Sequence, residues 1–224
     1  MANIIVYYLD CYQDYFGRQF LHRERDLYDD QYVYTQCPVF NHKTNRTFVG
    51  FSPIDISLKV DKNEGRVLCD NDEYKNLIEC DEKHLFSPNP VIQLSIPQFL
   101  FWTDTPNVWF EYKDHPMTSL NNNFIGVGGW FNLSNWPRNT TTAFTVIDEE
   151  KPVIIKKGDP LFRVSFYPQN LDSGIILKKI NETKKIQKIM DKYSSRNSSK
   201  SNWKSKLFSK TNIKTCPFKF LYDK

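Results

Sequence analysis

No stretch of the 224 residues comes close to eighteen consecutive apolar positions, so the sequence offers no candidate for a membrane-spanning helix. The opening MANIIVYYLDCYQDYF has no basic leader, and Asp10 interrupts its apolar run early, which argues against a secretory signal. These two absences predict a soluble, intracellular protein with no membrane partner. Alanine is nearly missing, at Ala2 and Ala143 only, which disfavours a helical architecture. The five cysteines, Cys11, Cys37, Cys69, Cys80 and Cys216, lie far apart and are odd in number, which fits free thiols in a reducing compartment better than a disulfide framework. Nucleophile-elbow, P-loop and dinucleotide fingerprints are also lacking, since the GVGG at 126–129 has no helix signal after it.

What is present points to strands. Aromatic residues make up 15% of the chain, with Val and Ile abundant, and these are the residues that fill a pleated, half-buried surface. The alternation of Ile54, Ile56, Leu58 and Val60 with Asp55, Ser57 and Lys59 predicts a half-buried strand after a break at Ser52-Pro53. Ile92, Leu94 and Ile96 mark a second, NVWFEYK a third, and NIIVYYLD an opening one. The charged stretch from Arg18 to Cys37 predicts a helical turn that Pro38 ends.

The most structured signal is KPVIIKKGDPLFRVSF, residues 151–166. Val153–Ile155 read as a strand, and Gly158 supplies the positive φ of a tight corner. Pro160 opens the next strand, where its missing N–H does least harm. From there Phe162, Val164 and Phe166 share one face, with Leu161, Arg163 and Ser165 on the other. Residues 114–142 are rich in Asn, Gly and Pro but hold Trp130, Phe131 and Trp136, too apolar for an ordinary linker. They read either as a binding surface or as the plug of a barrel end.

The residues from Phe144 through Glu150, then Ile154, Lys156, Lys157, Gly158, Asp159, Leu161, Val164 and Phe166 resemble the closing part of the deoxyuridine triphosphatase family. That resemblance implies a β-clip fold. The stretch from Pro97 to Trp109, the Gly129-Trp130 region and the Gly-Asp-Pro corner look similar to a domain family of phages and bacteria, which implies a viral or bacterial origin and a hairpin at Gly129-Trp130. Triphosphatase chemistry needs a water-activating carboxylate and a glycine-rich arm over the phosphates. Here GVGGWFNLSNW holds no acid, and the C-terminal part has lysines without the glycines.

The formal charge of +4 is unevenly distributed. Residues 178–224 hold fourteen Lys/Arg and three Asp/Glu, 14 − 3 = +11, leaving 16 − 23 = −7 for the first 177. Ile180, Ile186, Ile189, Met190 and Tyr193 follow helical spacing among lysines. Beyond them lies a polar, basic extension in which Lys200, Trp203, Lys204, Lys206 and Lys210 could engage nucleic acid, or which orders only on a partner.

The sequence therefore predicts a mainly β domain at 1–170, of β-clip or β-sandwich type, an amphipathic helix at 171–195, and a basic extension at 196–224 with an apolar docking end. The expected role is non-catalytic binding of a ligand or protein partner, or self-association, through Trp130, Phe131, Trp136, Arg138, Lys156, Lys157 and Asp159, with no cofactor. A divergent nucleotide hydrolase built on Asp148, Lys156, Lys157 and Asp159 is the competing reading, and nucleic-acid binding through the tail is a third. Cys37 with His42, and Cys80 with His84, can be drawn as a zinc site, but the spacings are loose and no metal is expected. His115 beside Asp114 is a candidate general base, against the plainer reading of a loop histidine.

Overall fold

The structure is a computed structural model and describes residues 3–10, 20–61, 66–83, 90–135 and 138–181. Strands β1 (Ile4–Asp10), β2 (Leu21–Arg23) and β3 (Thr47–Phe51) come first, with a short helix α1 (Pro38–Thr44) between β2 and β3. There follow β4 (Ile56–Asp61), β5 (Arg66–Cys69), β6 (Ile78–Lys83), β7 (Pro90–Trp102) and β8 (Trp109–Asp114). Helix α2 (Pro116–Asn121) leads to β9 (Phe124–Gly126), β10 (Gly129–Asn132), β11 (Arg138–Val146), β12 (Val153–Ile155), β13 (Pro160–Tyr167) and β14 (Ile175–Lys179).

These strands make three sheets. Sheet A has the order β14-β1-β7-β11-β9, with β6 also paired to β7; sheet B is β10-β8-β13-β3-β2; sheet C is β12-β4-β5. Sheets A and B face each other, because Phe99 and Phe101 of β7 meet Phe162, Phe166 and Phe110 of β13 and β8 at ring distances of 5.5–6.0 Å. All five rings are fully buried. The Tyr112 hydroxyl crosses between the sheets to donate to Thr142 Oγ1 at 3.0 Å. Burial pushes this phenol's pKa far up, so it stays a protonated donor. Ile56, Leu58, Val153 and Ile155 of sheet C close the same core. The architecture is mainly β, with a sandwich at its centre.

The alternation read from the sequence is realised at β4, β7 and β13. Ile54, Ile56, Leu58 and Val60 are buried, as are Ile92, Leu94 and Ile96. Gly158 takes φ 90°, and Pro160 is the first residue of β13. Gly50 of β3 lies where any Cβ would come within 2.1 Å of the Phe162 ring, so the close approach of β3 and β13 requires glycine.

The helical turn expected ahead of Pro38 is present, as single 3-10 turns at Glu24–Leu27 and Val33–Gln36 with Cys37 extended before the proline; Pro38 itself opens α1, where a fixed φ and a missing N–H are harmless. Three other local expectations change. Residues 114–142, loop-rich by composition, contain α2, β9 and β10 as well as the start of β11. No local hairpin forms at Gly129-Trp130, because β10 pairs with β8 while β9 pairs with β11. Finally, residues 175–179, inside the stretch assigned to a helix from 171, form β14 parallel to β1. The alternate positions Ile175 and Leu177 serve strand period as well as helical period, and the free edge of β1 decides between them. The sandwich thus extends past residue 170, and residues 182–195 and the whole basic extension lie outside the described residues.

Candidate functional site: an aromatic face on sheet B

The face of sheet B turned away from the core is set by strand alternation. In β8, Phe110 and Tyr112 point inward, which forces Trp109, Glu111 and Lys113 outward. In β13 the inward Phe162, Val164 and Phe166 leave Arg163, Ser165 and Tyr167 on the outer side. In β10, Phe131 turns in to pack on Phe110 at 4.8 Å, which sends Trp130 out. Cross-strand register then aligns Trp130 with Glu111 and Glu111 with Ser165.

Three rings assemble there. Trp109 and Trp130 stack at 5.9 Å with planes 23° apart, and Trp130 meets Tyr167 at 5.0 Å and 34°. The indole of Trp130 therefore reaches across β8, with another ring on each side. Trp109 is still 40% exposed and Trp130 53%, an unusual fate for two tryptophans on adjacent strands. Beneath them the Tyr167 hydroxyl donates to Glu111 Oε2 at 2.8 Å, and Lys113 Nζ lies 2.6 Å from Oε1. Partial burial pushes the Glu111 carboxyl up, but the bonds from Lys113 and Tyr167 and the charges of Lys113 and Lys43 outweigh it, and the net shift is downward. Burial and the same carboxylate raise the Tyr167 phenol. An ionised acceptor and a neutral donor thus fix Tyr167 under the indole.

Beside this stack, the Arg163 guanidinium lies 3.3 Å from Glu24 Oε1, and the Tyr28 hydroxyl also reaches that oxygen at 3.3 Å. Glu24 is buried, and its Oε2 has no hydrogen-bond partner among the described residues. His115, the residue before α2, is half-buried; its Nδ1 has none among them either, and its backbone N–H donates to the Leu161 carbonyl. Burial, followed by the Arg163 charge, holds its pKa below the ordinary histidine value. His115 is a half-buried loop residue ahead of α2, near enough to Arg163, Glu24 and Asp114 to feel their charges.

The residues singled out from sequence are not all together. Lys156, Lys157 and Asp159 form the corner before β13: Asp159 Oδ2 accepts from the Lys156 N–H at 2.8 Å, Asp55 Oδ1 from that of Lys157 at 2.9 Å, and Gly158 N–H bonds Ser52 O at 2.8 Å. Both lysine side chains are exposed. The eight residues of β13 separate this corner from the ring stack, roughly 23 Å at strand rise. Asp148 caps the turn at the other end of β12, accepting from the Glu150 N–H at 3.0 Å and meeting Lys151 Nζ at 3.0 Å. Arg138 opens β11 opposite Phe101. Trp136, and Lys200, Trp203, Lys204, Lys206 and Lys210, lie outside the described residues. Cys37 is exposed, and no group of three metal-ligating side chains gathers among the described residues. No helix among the described residues is long and apolar enough to cross a membrane.

Trp109, Glu111 and Tyr167 were missed by sequence reasoning. The signal was the alternation of NVWFEYK itself, which makes Trp109 and Glu111 neighbours on the face opposite Phe110.

No family model matches the chain, and no curated protein does. Among solved structures, the chain is similar to dUTPases of staphylococcal phages. A variant of the Staphylococcus bacteriophage 80alpha enzyme with dUpNHpp aligns at 13% identity and a TM-score of 0.34, over 64% of this chain and 88% of that one. A variant of the dUTPase from phage phi11 of S. aureus aligns at 14% and 0.33, again over 64% and 88%. The overlaps are loose.

Proposed function

We propose that this chain is a non-catalytic, phage-type binding protein that engages a protein partner through the outer face of sheet B. The observation that carries the proposal is the exposure of Trp109 and Trp130 within a fixed stack. Tryptophan is the residue most enriched where truncation costs binding energy, and the stacking of Trp130 on Trp109 and on Tyr167, whose hydroxyl Glu111 holds, orders the indoles beforehand, so that little side-chain entropy remains to be lost on association. The phage-type assignment follows the sequence resemblance. Lys156 and Lys157 belong to a second, more distant surface, and Asp159 has the structural task of closing its corner.

The test compares the wild-type chain with Trp109→Ala/Trp130→Ala and with Lys156→Ala/Lys157→Ala. Each is used to capture proteins from phage-infected cells, and native mass spectrometry is run with and without a pool of nucleotides. The expected result is a stoichiometric protein partner, lost at least about tenfold in the tryptophan variant and kept in the lysine variant, with no nucleotide retained. A nucleotide that stays bound and is hydrolysed would replace this proposal with the hydrolase reading. A partner indifferent to both tryptophans would remove the face from the mechanism.

A further inference from the structure

A second exposed apolar surface lies on the segment between β2 and β3. Val33 is 84% exposed, Val39 78%, Tyr32 55%, Tyr34 47% and Leu27 45%. They stand on a firm base. Tyr28, Tyr34 and Phe40 pack edge to face at 5.1–5.9 Å, and Tyr32 stacks on Tyr34 at 5.4 Å with planes 9° apart. Thr35 Oγ1 donates to Tyr32 O at 2.6 Å, and Asn41 Nδ2 donates to Thr35 O at 2.7 Å. The apolar side chains are therefore presented to solvent by a cross-braced cap.

Acidic residues are in excess around them. Residues 24–44 hold Glu24, Asp26, Asp29 and Asp30 against Arg25 and Lys43, 2 − 4 = −2, with Glu24 paired to Arg163 and Arg25 engaged by Asp30. Asp26, Asp29 and Asp30 are all exposed. The five side chains offer on the order of 500 Å² of apolar surface, at the upper end of what a monomer leaves uncovered and below the ~800 Å² per partner of a stable globular pair. The area suits a short segment better than a second folded copy.

The chain itself contains a segment of complementary chemistry. In Lys184–Tyr193, Ile186, Ile189, Met190 and Tyr193 fall at i, i+3, i+4 and i+7, the anchor spacing of a helix laid on an apolar surface. Lys184, Lys185, Lys188 and Lys192 against Asp191 give 4 − 1 = +3. The route is short: Arg23, just before the cap, donates to Ile175 O at the start of β14. Residue 181 is thus at most about 20 Å further along the strand direction, and ten helical residues span about 15 Å.

We infer that Lys184–Tyr193 docks on the cap of its own molecule, with Ile186, Ile189, Met190 and Tyr193 against Tyr32, Val33, Tyr34 and Val39 and its lysines facing Asp26, Asp29 and Asp30. The inference is independent of the tryptophan face. It is tested on the full chain by carbodiimide cross-linking with peptide mapping and by amide hydrogen exchange, in the wild type, in Val33→Lys and in Ile189→Asp. The expected result is monomer cross-links from Lys184, Lys185, Lys188 or Lys192 to Asp26, Asp29 or Asp30. Exchange over 184–193 should be at least about tenfold slower in the wild type than in either variant. Because Val33 is solvent-facing, Val33→Lys keeps the fold, which an unchanged melting temperature verifies. The absence of such cross-links, their appearance in dimers alone, or exchange over 184–193 that Val33→Lys leaves unchanged would each overturn the inference.

Discussion

Strands β8 and β13 each carry two sets of aromatic residues, and the two sets behave differently. Phe110, Phe162 and Phe166 face sheet A and are entirely buried, while Trp109 and Tyr167, one residue away in each strand, join Trp130 on a face open to solvent. The inner rings exchange water for other rings and stabilise the sandwich. The outer rings stack on one another and keep much of their surface uncovered. The contrast separates aromatic residues that hold the fold from those available to a partner, although composition treats them alike.

The largest effect is expected from the inner rings. Phe101→Ala empties a site between Phe99, Phe110 and Phe166 and is expected to cost about 3–5 kcal/mol in urea unfolding. An effect below ~1 kcal/mol would mean that the sheets are not packed as described. Next comes Arg163→Met, which strands the buried Glu24 carboxylate. With the Arg163 side chain 23% exposed, the loss should be about 2 kcal/mol, below that of a fully buried pair. Combining it with Glu24→Gln should restore part of that loss in a double-mutant cycle.

Gly158→Ala places a Cβ on a residue at φ 90° and should lower stability by roughly 1–2 kcal/mol. Trp130→Ala removes one ring of the outer stack and should cost only about 1 kcal/mol in the same assay, while abolishing capture of the partner. A large stability loss for Trp130→Ala would move the outer rings into the structural class. The smallest effect is a pH dependence. His115 has a folded pKa below its ordinary 6.5, so between those values the unfolded chain binds the additional proton. Stability should therefore fall as pH drops through 6.5, and His115→Phe should flatten that slope in melts recorded across the window.

Much of the inner half of the comparison was legible from sequence, because strand period is a local property. The alternation in 160–167 marked Phe162, Val164 and Phe166 as one face, and the corner at Lys156–Asp159 was readable down to the conformation of Gly158. The outer half was only partly legible. Trp130 stood out by its size in a turn-rich stretch, but its partners Trp109 and Tyr167 lie 21 and 37 residues away, and nothing local to any of the three encodes their meeting. Phe131, read as part of the same surface, belongs to the core face, because neighbours in a strand point opposite ways. Glu24 gave no sequence signal of its pairing with Arg163, 139 residues away.

The sequence by itself determined which residues alternate, where the chain turns at Gly158 and Pro160, and that the protein is built mainly of strands, since each follows from steric preferences over a few neighbouring residues. Only the tertiary structure decided that β10 joins β8 rather than β9, that β14 returns to lie parallel to β1, and that three rings from three strands meet outside sheet B. Strand order is chosen by the burial of whole faces against one another, a balance of contacts between residues far apart in the chain that no local pattern carries.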